Sequence, residues 1–438
     1  ITSDGDGFSS YKDIMLYRWR ADVYANTGNY IYIKDINERK YWSMAYHPSM
    51  VEPNEYQATF LPYQAEFKRK DGDIITNTIV SLAPNHNVEI RKMEFTNNGK
   101  EDKQLEITSY MEVVADKYMA ELSHPAFNKL FIESEFIADK SILLSRRRSS
   151  LEDNPYLIHM VKSESRSLNN VEYENDRLKF IGRNNTLENP EVVVDSIPLS
   201  NSVGFSNDPI MSLRIRIILK PNEKTSVTFI TGVCSTKEEA NEISDVFSVA
   251  GRIDGIRDNF KRQSEMELKY LNISQQQFNA FQEIISPIYY PSVNYRGAKE
   301  NIIRNWKNQS FLWRFGVSGD CPIMLLRVGS IEEAGIIRDV LKAYEYFRIN
   351  RIKIDLIILS EAKHGYMQEL TDMLNDMISS LKIYDENKER PSLFILHSSQ
   401  MVPAEIDLLF TVARVVFSEK TGIYFRNNQE VKRETILE

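Results

Sequence analysis

Phe311–Val328 reads FLWRFGVSGDCPIMLLRV, and the character of the chain changes across it. Phe311, Leu312, Trp313 and Phe315 make a dense apolar and aromatic anchor. Gly316, Ser318, Gly319, Asp320 and Pro322 are a cluster of breakers. Ile323, Met324, Leu325, Leu326 and Val328 then read as a buried strand. Upstream, short alternating runs are separated by polar turns; downstream, strand and helix patterns alternate. The stretch therefore predicts a domain junction near residue 311.

Working back from it, Asn29–Asp35 alternates Tyr30/Tyr32 with Ile31/Ile33, as a half-buried strand does. Gln57–Lys68 and Ile74–Leu82 continue across the Lys70–Asp73 turn. Val88–Asn97 and Gln104–Val114 flank Asn97-Asn98-Gly99-Lys100, a hairpin signal. Later strands are expected at Ile142–Arg148, Asn154–Val161, Ile210–Leu219 and Thr225–Val233. This rhythm predicts a large antiparallel β-sandwich over 1–235. From Ser235 the period becomes helical, with an N-cap followed by Glu238 and Glu239. Residues 236–310 read as a helical linker packed on the sandwich. Residues 311–438 read as a small α/β module with a parallel sheet: strands Ile323–Val328, Ile354–Leu359 and Leu393–Leu396, and helices after Ser330 and over Gly365–Leu381 and Ala404–Phe417. The fold class is thus α+β and multidomain.

A chain of 438 residues is too long for one core. Its net charge of −8 argues against nucleic-acid partners, which need a basic face. No apolar run reaches the roughly 18 residues that span a bilayer, and no secretory pattern opens the chain. Cys234 and Cys321 build neither a disulfide framework nor a zinc cluster, so a reducing, cytoplasmic setting is expected. The 22 tyrosines and 21 phenylalanines suit pyranose stacking or packing between sheets.

Several motifs can be set aside. Gly316-Val317-Ser318-Gly319-Asp320 misses the last glycine of a nucleophile elbow and precedes a strand instead of following one. Val328-Gly329-Ser330 lacks the dinucleotide fingerprint, and Glu332 and Glu333 would repel a pyrophosphate. Asp4-Gly5-Asp6-Gly7 lacks the later ligands of a calcium loop. His47, His86, His124, His159, His364 and His397 have no metal-ligand spacing, so no metal is expected. Asp208, Asp320 and Asp355 are unusual carboxylates in or beside apolar runs. Each is a receiver of hydrogen bonds or a catalytic acid.

Tyr17-Arg18-Trp19-Arg20, Tyr30–Asp35 and Tyr41-Trp42-Ser43 resemble the first domain of the inverting glycoside phosphorylases that include cellobiose phosphorylase (glycoside hydrolase family 94). Ser109–Val113, His124–Phe127 and Asp208-Pro209-Ile210 are similar to the same domain further along. Leu312–Ile323, Tyr344–Arg348 and Asp355–Leu359 resemble the branch acting on β-1,2-glucans, which holds 1,2-β-oligoglucan phosphorylase and cyclic β-1,2-glucan synthase. The resemblance runs in order over essentially the whole chain.

It implies a sandwich, a helical linker and an (α/α)6 catalytic barrel that phosphorolyses a β-1,2-oligoglucan to glucose 1-phosphate by single displacement. Phosphate is then a co-substrate, and no further cofactor is implied. No six-pair helix array is legible in 311–438, so the barrel is expected downstream and no catalytic residue is carried over. The family's first domain helps form homodimers, and residues 1–30 match its loop region. Arg18, Trp19, Tyr30 and Trp42 are therefore candidates for contact with glucan or partner, with Trp19 and Trp42 alternatively sandwich core. The location implied is cytoplasmic, or the cytoplasmic side of a membrane-bound synthase.

Overall fold

The computed structural model describes residues 1–20, 27–148, 154–164, 171–249, 251–362, 367–381 and 392–423. The chain divides into two compact units, Ile1–Glu265 and Met266–Glu438.

Among the described residues, the first unit contains antiparallel sheets of seven and nine strands. Lys103–Lys117 is the spine of the smaller sheet. It pairs with Asn29–Asp35 on one side and Pro209–Leu219 on the other, so Thr108 lies opposite both Tyr32 and Arg214. Lys224–Cys234 is the middle strand of the larger sheet, between Val88–Asn97 and Tyr156–Ser163. Ile31, Ile33, Ile107 and Met211 of one sheet meet Phe67, Met93, Phe95 and Phe229 of the other in the shared core.

The outer faces are covered as well. Helix Lys237–Ser248 lays Ala240, Ile243 and Phe247 on Ile90, Ile158 and Ile230. Helix Arg177–Ile181 brings Phe180 and Ile181 onto Tyr30, Tyr32 and Tyr110. Asn29–Asp35 is consequently buried at every position, and not half-buried as its alternation suggests. Isoleucine fills the inner core, while tyrosine fills the outer one and spends its hydroxyl on a partner: Tyr30 donates to Asp6 Oδ1 at 2.5 Å and Tyr32 to the Leu187 carbonyl at 2.6 Å.

Two local expectations change here. Val88–Asn97 and Lys103–Lys117 lie in different sheets, so Asn97-Asn98-Gly99-Lys100 is a crossing from sheet to sheet. The Asn97 side chain fixes it by donating to the Glu101 and Leu219 carbonyls and accepting the Gly99 N–H. The turn residues dictate a reversal without dictating which ladder follows. Gln57–Lys68 is really two strands, Glu55–Leu61 and Gln64–Asp71, paired around Pro62-Tyr63; proline cannot donate to a ladder and marks the turn.

The second unit is built on a four-stranded parallel sheet. Its order is Leu393–His397, Asp355–Ser360, Ile323–Val328 and Ala413–Phe417. Met324 and Leu326 face one way, with Val340, Leu370 and Phe281. Ile323 and Leu325 face the other, with Leu408 and Leu409. One correction follows. Ala404–Phe417 is helix Pro403–Val412 followed directly by strand Ala413–Phe417. Helix Gln275–Tyr289 packs Phe278, Phe281, Ile284 and Ile288 against the parallel sheet's core, within the second unit. Helix Met367–Ser379 sits inside the expected 365–381 span, whose start at Gly365 is outside the described residues, as is His364. Ser330 does not cap with its side chain; a 3-10 turn, Ile331–Glu333, leads into helix Ala334–Ile349. Glu333 Oε1 accepts the Gly329 N–H at 3.1 Å, placing a carboxylate where a nucleotide site would need phosphate.

Candidate functional site

The four candidate residues separate. Tyr30 is 2% exposed, Trp42 4% and Trp19 7%. Trp42 belongs to the inter-sheet core and Tyr30 to the outer core. Trp19 packs against Phe8 and Tyr118, with ring centroids 4.9 and 5.8 Å apart. None of the three offers a ring face to a sugar. Arg18 alone reaches a surface concavity, because the run that follows strand Ile14–Tyr17 turns Tyr17 and Trp19 inward and leaves Arg18 and Arg20 partly exposed.

That concavity is an open pocket of about 780 Å³. Arg18, Arg20, Lys129 and Asn207 supply its polar wall; Phe127 and Leu130 supply an apolar one. The apolar part comes from helix Pro125–Lys129 and its C-cap Leu130; the helix starts at a proline in its first turn, where the missing N–H is harmless. The signal for this surface in the sequence is the pair of large apolar residues Phe127 and Leu130, both of which stay exposed.

The cations are held by carboxylates underneath. Arg18 pairs with Glu112 and, through Nε, with Glu121 Oε1 at 3.0 Å. Arg20 Nη2 donates to Glu121 Oε1 at 2.8 Å. Arg177 Nε donates to Glu112 Oε1 at 3.0 Å, and Tyr110 donates to the same oxygen at 2.9 Å. Lys129 pairs with Asp208. Burial pushes the Glu121 carboxyl up, but the hydrogen bonds and charges of Arg20 and Arg18 outweigh it and hold the group below the usual carboxylate range. With their charges thus engaged, the arginines present fixed N–H donors more than a free positive field. Arg18 Nη2 is buried without a hydrogen-bond partner. A polar wall of fixed donors beside exposed apolar surface suits a polyhydroxylated ligand or an amphipathic partner surface.

Other constellations prove structural. Ser109 Oγ lies 2.7 Å from His159 Nε2, which superficially resembles a nucleophile and its base. His159 is fully buried, its Nδ1 faces Thr231 Oγ1 at 2.9 Å, and burial lowers its pKa to about 3. It is a neutral core imidazole with no route to substrate. Asp6 lies in the Gly/Asp loop as the partner of Tyr30 and of His47 Nδ1, the latter at 2.6 Å. Asp208 is the partner of Lys129; Asp355 is buried at the start of its strand; Asp320 is exposed. Among the described residues, no group of three His, Cys, Asp or Glu could hold a metal ion. No described helix is long and apolar enough to cross a membrane.

Residues 1–249 match the family described as glycosyl hydrolase 94, supersandwich domain. The chain is 28% identical over 426 residues to cyclic beta-(1,2)-glucan synthase NdvB of Rhizobium meliloti (strain 1021), covering 96% of this chain and 15% of that protein. It is 21% identical over 245 residues to solabiose phosphorylase of Paenibacillus borealis, covering 56% of this chain and 30% of that one. The chain thus spans less than a third of either relative. Among solved structures, a bacterial glucoamylase complexed with acarbose aligns over 66% of this chain and 39% of its own at 11% identity, with a TM-score of 0.35.

Proposed function

Because the chain belongs to the glycosyl hydrolase 94 family through its supersandwich domain, we infer that it is the supporting, glucan-handling part of a carbohydrate-active enzyme that makes or phosphorolyses β-1,2-glucan. The observation that carries this reading is the match of nearly the whole chain, both units included, to a cyclic β-1,2-glucan synthase. In the parent reaction, phosphate attacks the anomeric carbon while a general acid protonates the glycosidic oxygen. The glycosidic bond breaks, and glucose 1-phosphate forms with inversion. Phosphate is already a nucleophile, so one of the two carboxylates of an inverting glycosidase becomes dispensable. Catalysis falls to an (α/α)6 barrel of the parent. This chain contributes the sandwich, whose Arg18 pocket contacts glucan or the second protomer of a homodimer. The setting is the cytoplasm, or the cytoplasmic side of a membrane-bound synthase.

The test is glucose 1-phosphate release from linear β-1,2-glucooligosaccharides and phosphate, with calorimetric titration of the same oligosaccharides. The chain alone should bind without turnover. Release at an enzymatic rate would show that it carries its own catalytic centre. The absence of both binding and release would reduce it to a scaffold.

A further inference from the structure

The segment leading into strand Ile323–Val328 carries exposed aromatic surface of its own. Of the four tryptophans, Trp19 and Trp42 are interior, but Trp306 and Trp313 are 72% and 66% exposed. Trp306, Phe311 and Trp313 are all exposed on one short segment, and clustered exposed apolar surface marks interaction sites.

The backbone around Trp313 is fixed. Leu312 and Val317 are fully buried and nail the 3-10 helix Gln309–Phe315 to the second unit's core. Gly316 ends that helix in the left-handed region, with φ of 76°. Gly319 is also left-handed, with φ of 77°, and a Cβ there would lie 2.7 Å from Gln309 Cγ. The two glycines of the GVSGD turn are therefore needed to fold the turn back over Gln309. The result is convergent. Trp313 Nε1 and Gln309 Nε2 both donate to the Ser318 carbonyl, at 3.3 and 2.9 Å, and Gln309 Nε2 also lies 3.4 Å from Asp320 Oδ1. The indole is pinned by its N–H, so its orientation is set before any ligand arrives, and an amide and a carboxylate stand beside it.

We propose that Trp313, Gln309 and Asp320 form a pyranose-binding platform on the second unit, a contact with the glucan separate from the Arg18 pocket. The inference rests on the reading of the chain as glucan-handling. The axial C–H face of a pyranose is apolar and weakly positive, and it complements the negative face of an indole. The equatorial hydroxyls at the ring edge need hydrogen-bonding groups, and the Gln309 amide and the Asp320 carboxylate stand beside the indole. Pre-fixed side chains lower the ordering cost of binding. A second ring pair, Trp306 and Phe311, stands at the start of the same helix, with centroids 6.1 Å apart and the Lys307 ammonium 3.8 Å from the Phe311 ring. Charged groups interleave with the rings here, so the apolar surface is broken up in a way that suits a sugar chain better than the dry core of a protein interface.

The experiment uses the full chain carrying Trp306→Phe, which leaves Trp313 as the one exposed indole. Linear β-1,2-glucooligosaccharides are titrated while tryptophan emission and heat are recorded. A saturable change in emission is expected, with Trp313→Ala weakening binding at least about ten-fold, the loss of one aromatic contact. Asp320→Asn should weaken it less and leave the emission change in place. Circular dichroism confirms that each variant is folded, and Trp313→Phe provides a milder replacement. If the oligosaccharide binds with unchanged affinity to Trp313→Ala, the platform is wrong while glucan handling stands. If the unsubstituted chain binds no glucan, the functional reading itself falls. Emission that ignores glucan but shifts with protein concentration would identify the patch as a protein interface and overturn the proposal.

Discussion

Glu121 is a short side chain with large consequences. It is buried, it holds Arg18 and Arg20 together, and its removal leaves two guanidiniums over a desolvated gap. Breaking a buried pair in this way costs about 3 kcal/mol, so Glu121→Ala should lower the urea midpoint of the first unit. The depressed pKa adds a pH dependence. Its stabilisation is complete above the unfolded carboxylate value of about 4.3 and is lost as pH falls through the lower folded value. His159 acts in a higher window. Its folded pKa near 3 lies below the unfolded value, so the unfolded chain takes up the proton first. Stability is unaffected above about pH 6.5 and falls by up to about 1.4 kcal/mol per pH unit from there towards 3. Denaturant titrations from pH 7 to 4 should show that slope, and His159→Gln should flatten it. Little of this was legible beforehand. Arg18 became a candidate only through the resemblance of residues 1–30 to a family loop region. The carboxylates beneath it, Glu112 and Glu121, come from about a hundred residues away, and no local pattern announces them. Tyr30 and Trp42 misled for a related reason: aromatic residues that stack on sugars and those that fill a second core look alike in a sequence.

Helices were legible where their ends were written in side chains. Thr236 Oγ1 accepts the Glu239 N–H at 3.1 Å, and Ser274 and Gln277 form a reciprocal capping box. Ser274→Ala should therefore cost about 1 kcal/mol. On the same helix Phe281 is fully buried among Tyr346 and Phe347. Phe281→Ala should cost about 3–5 kcal/mol, measured by thermal melting of the second unit. The strand Ala413–Phe417 stayed hidden because Val412 passes into Ala413 with neither glycine nor proline between them. A helix that hands directly to a strand leaves no punctuation, and only the parallel pairing with Ile323–Val328 reveals the change. The sheet crossing at Asn97–Lys100 was missed differently: the reversal was read, but its ladder partner depends on residues far away.

At the scale of the molecule, each unit has a hydrophobic core of its own. Hydrogen exchange should show this separation. Phe281→Ala should speed exchange in Ile323–Val328 and Asp355–Ser360 and leave Lys103–Lys117 protected. The sandwich and the α/β module were both readable from period alone, since alternation and helix–strand succession are local signals. The long-range assembly of the strands was not, and it decides how this protein must be made. The spine of the smaller sheet cannot close until Pro209–Leu219 arrives, and the middle of the larger one waits for Lys224–Cys234. At a synthesis rate of about 5–20 residues per second, the stretch between Lys117 and Pro209 takes roughly 5–20 s to emerge. During that interval the nascent chain carries Lys103–Lys117 and Val88–Asn97 with unpaired edges, the state in which a strand edge is most open to wrong pairing.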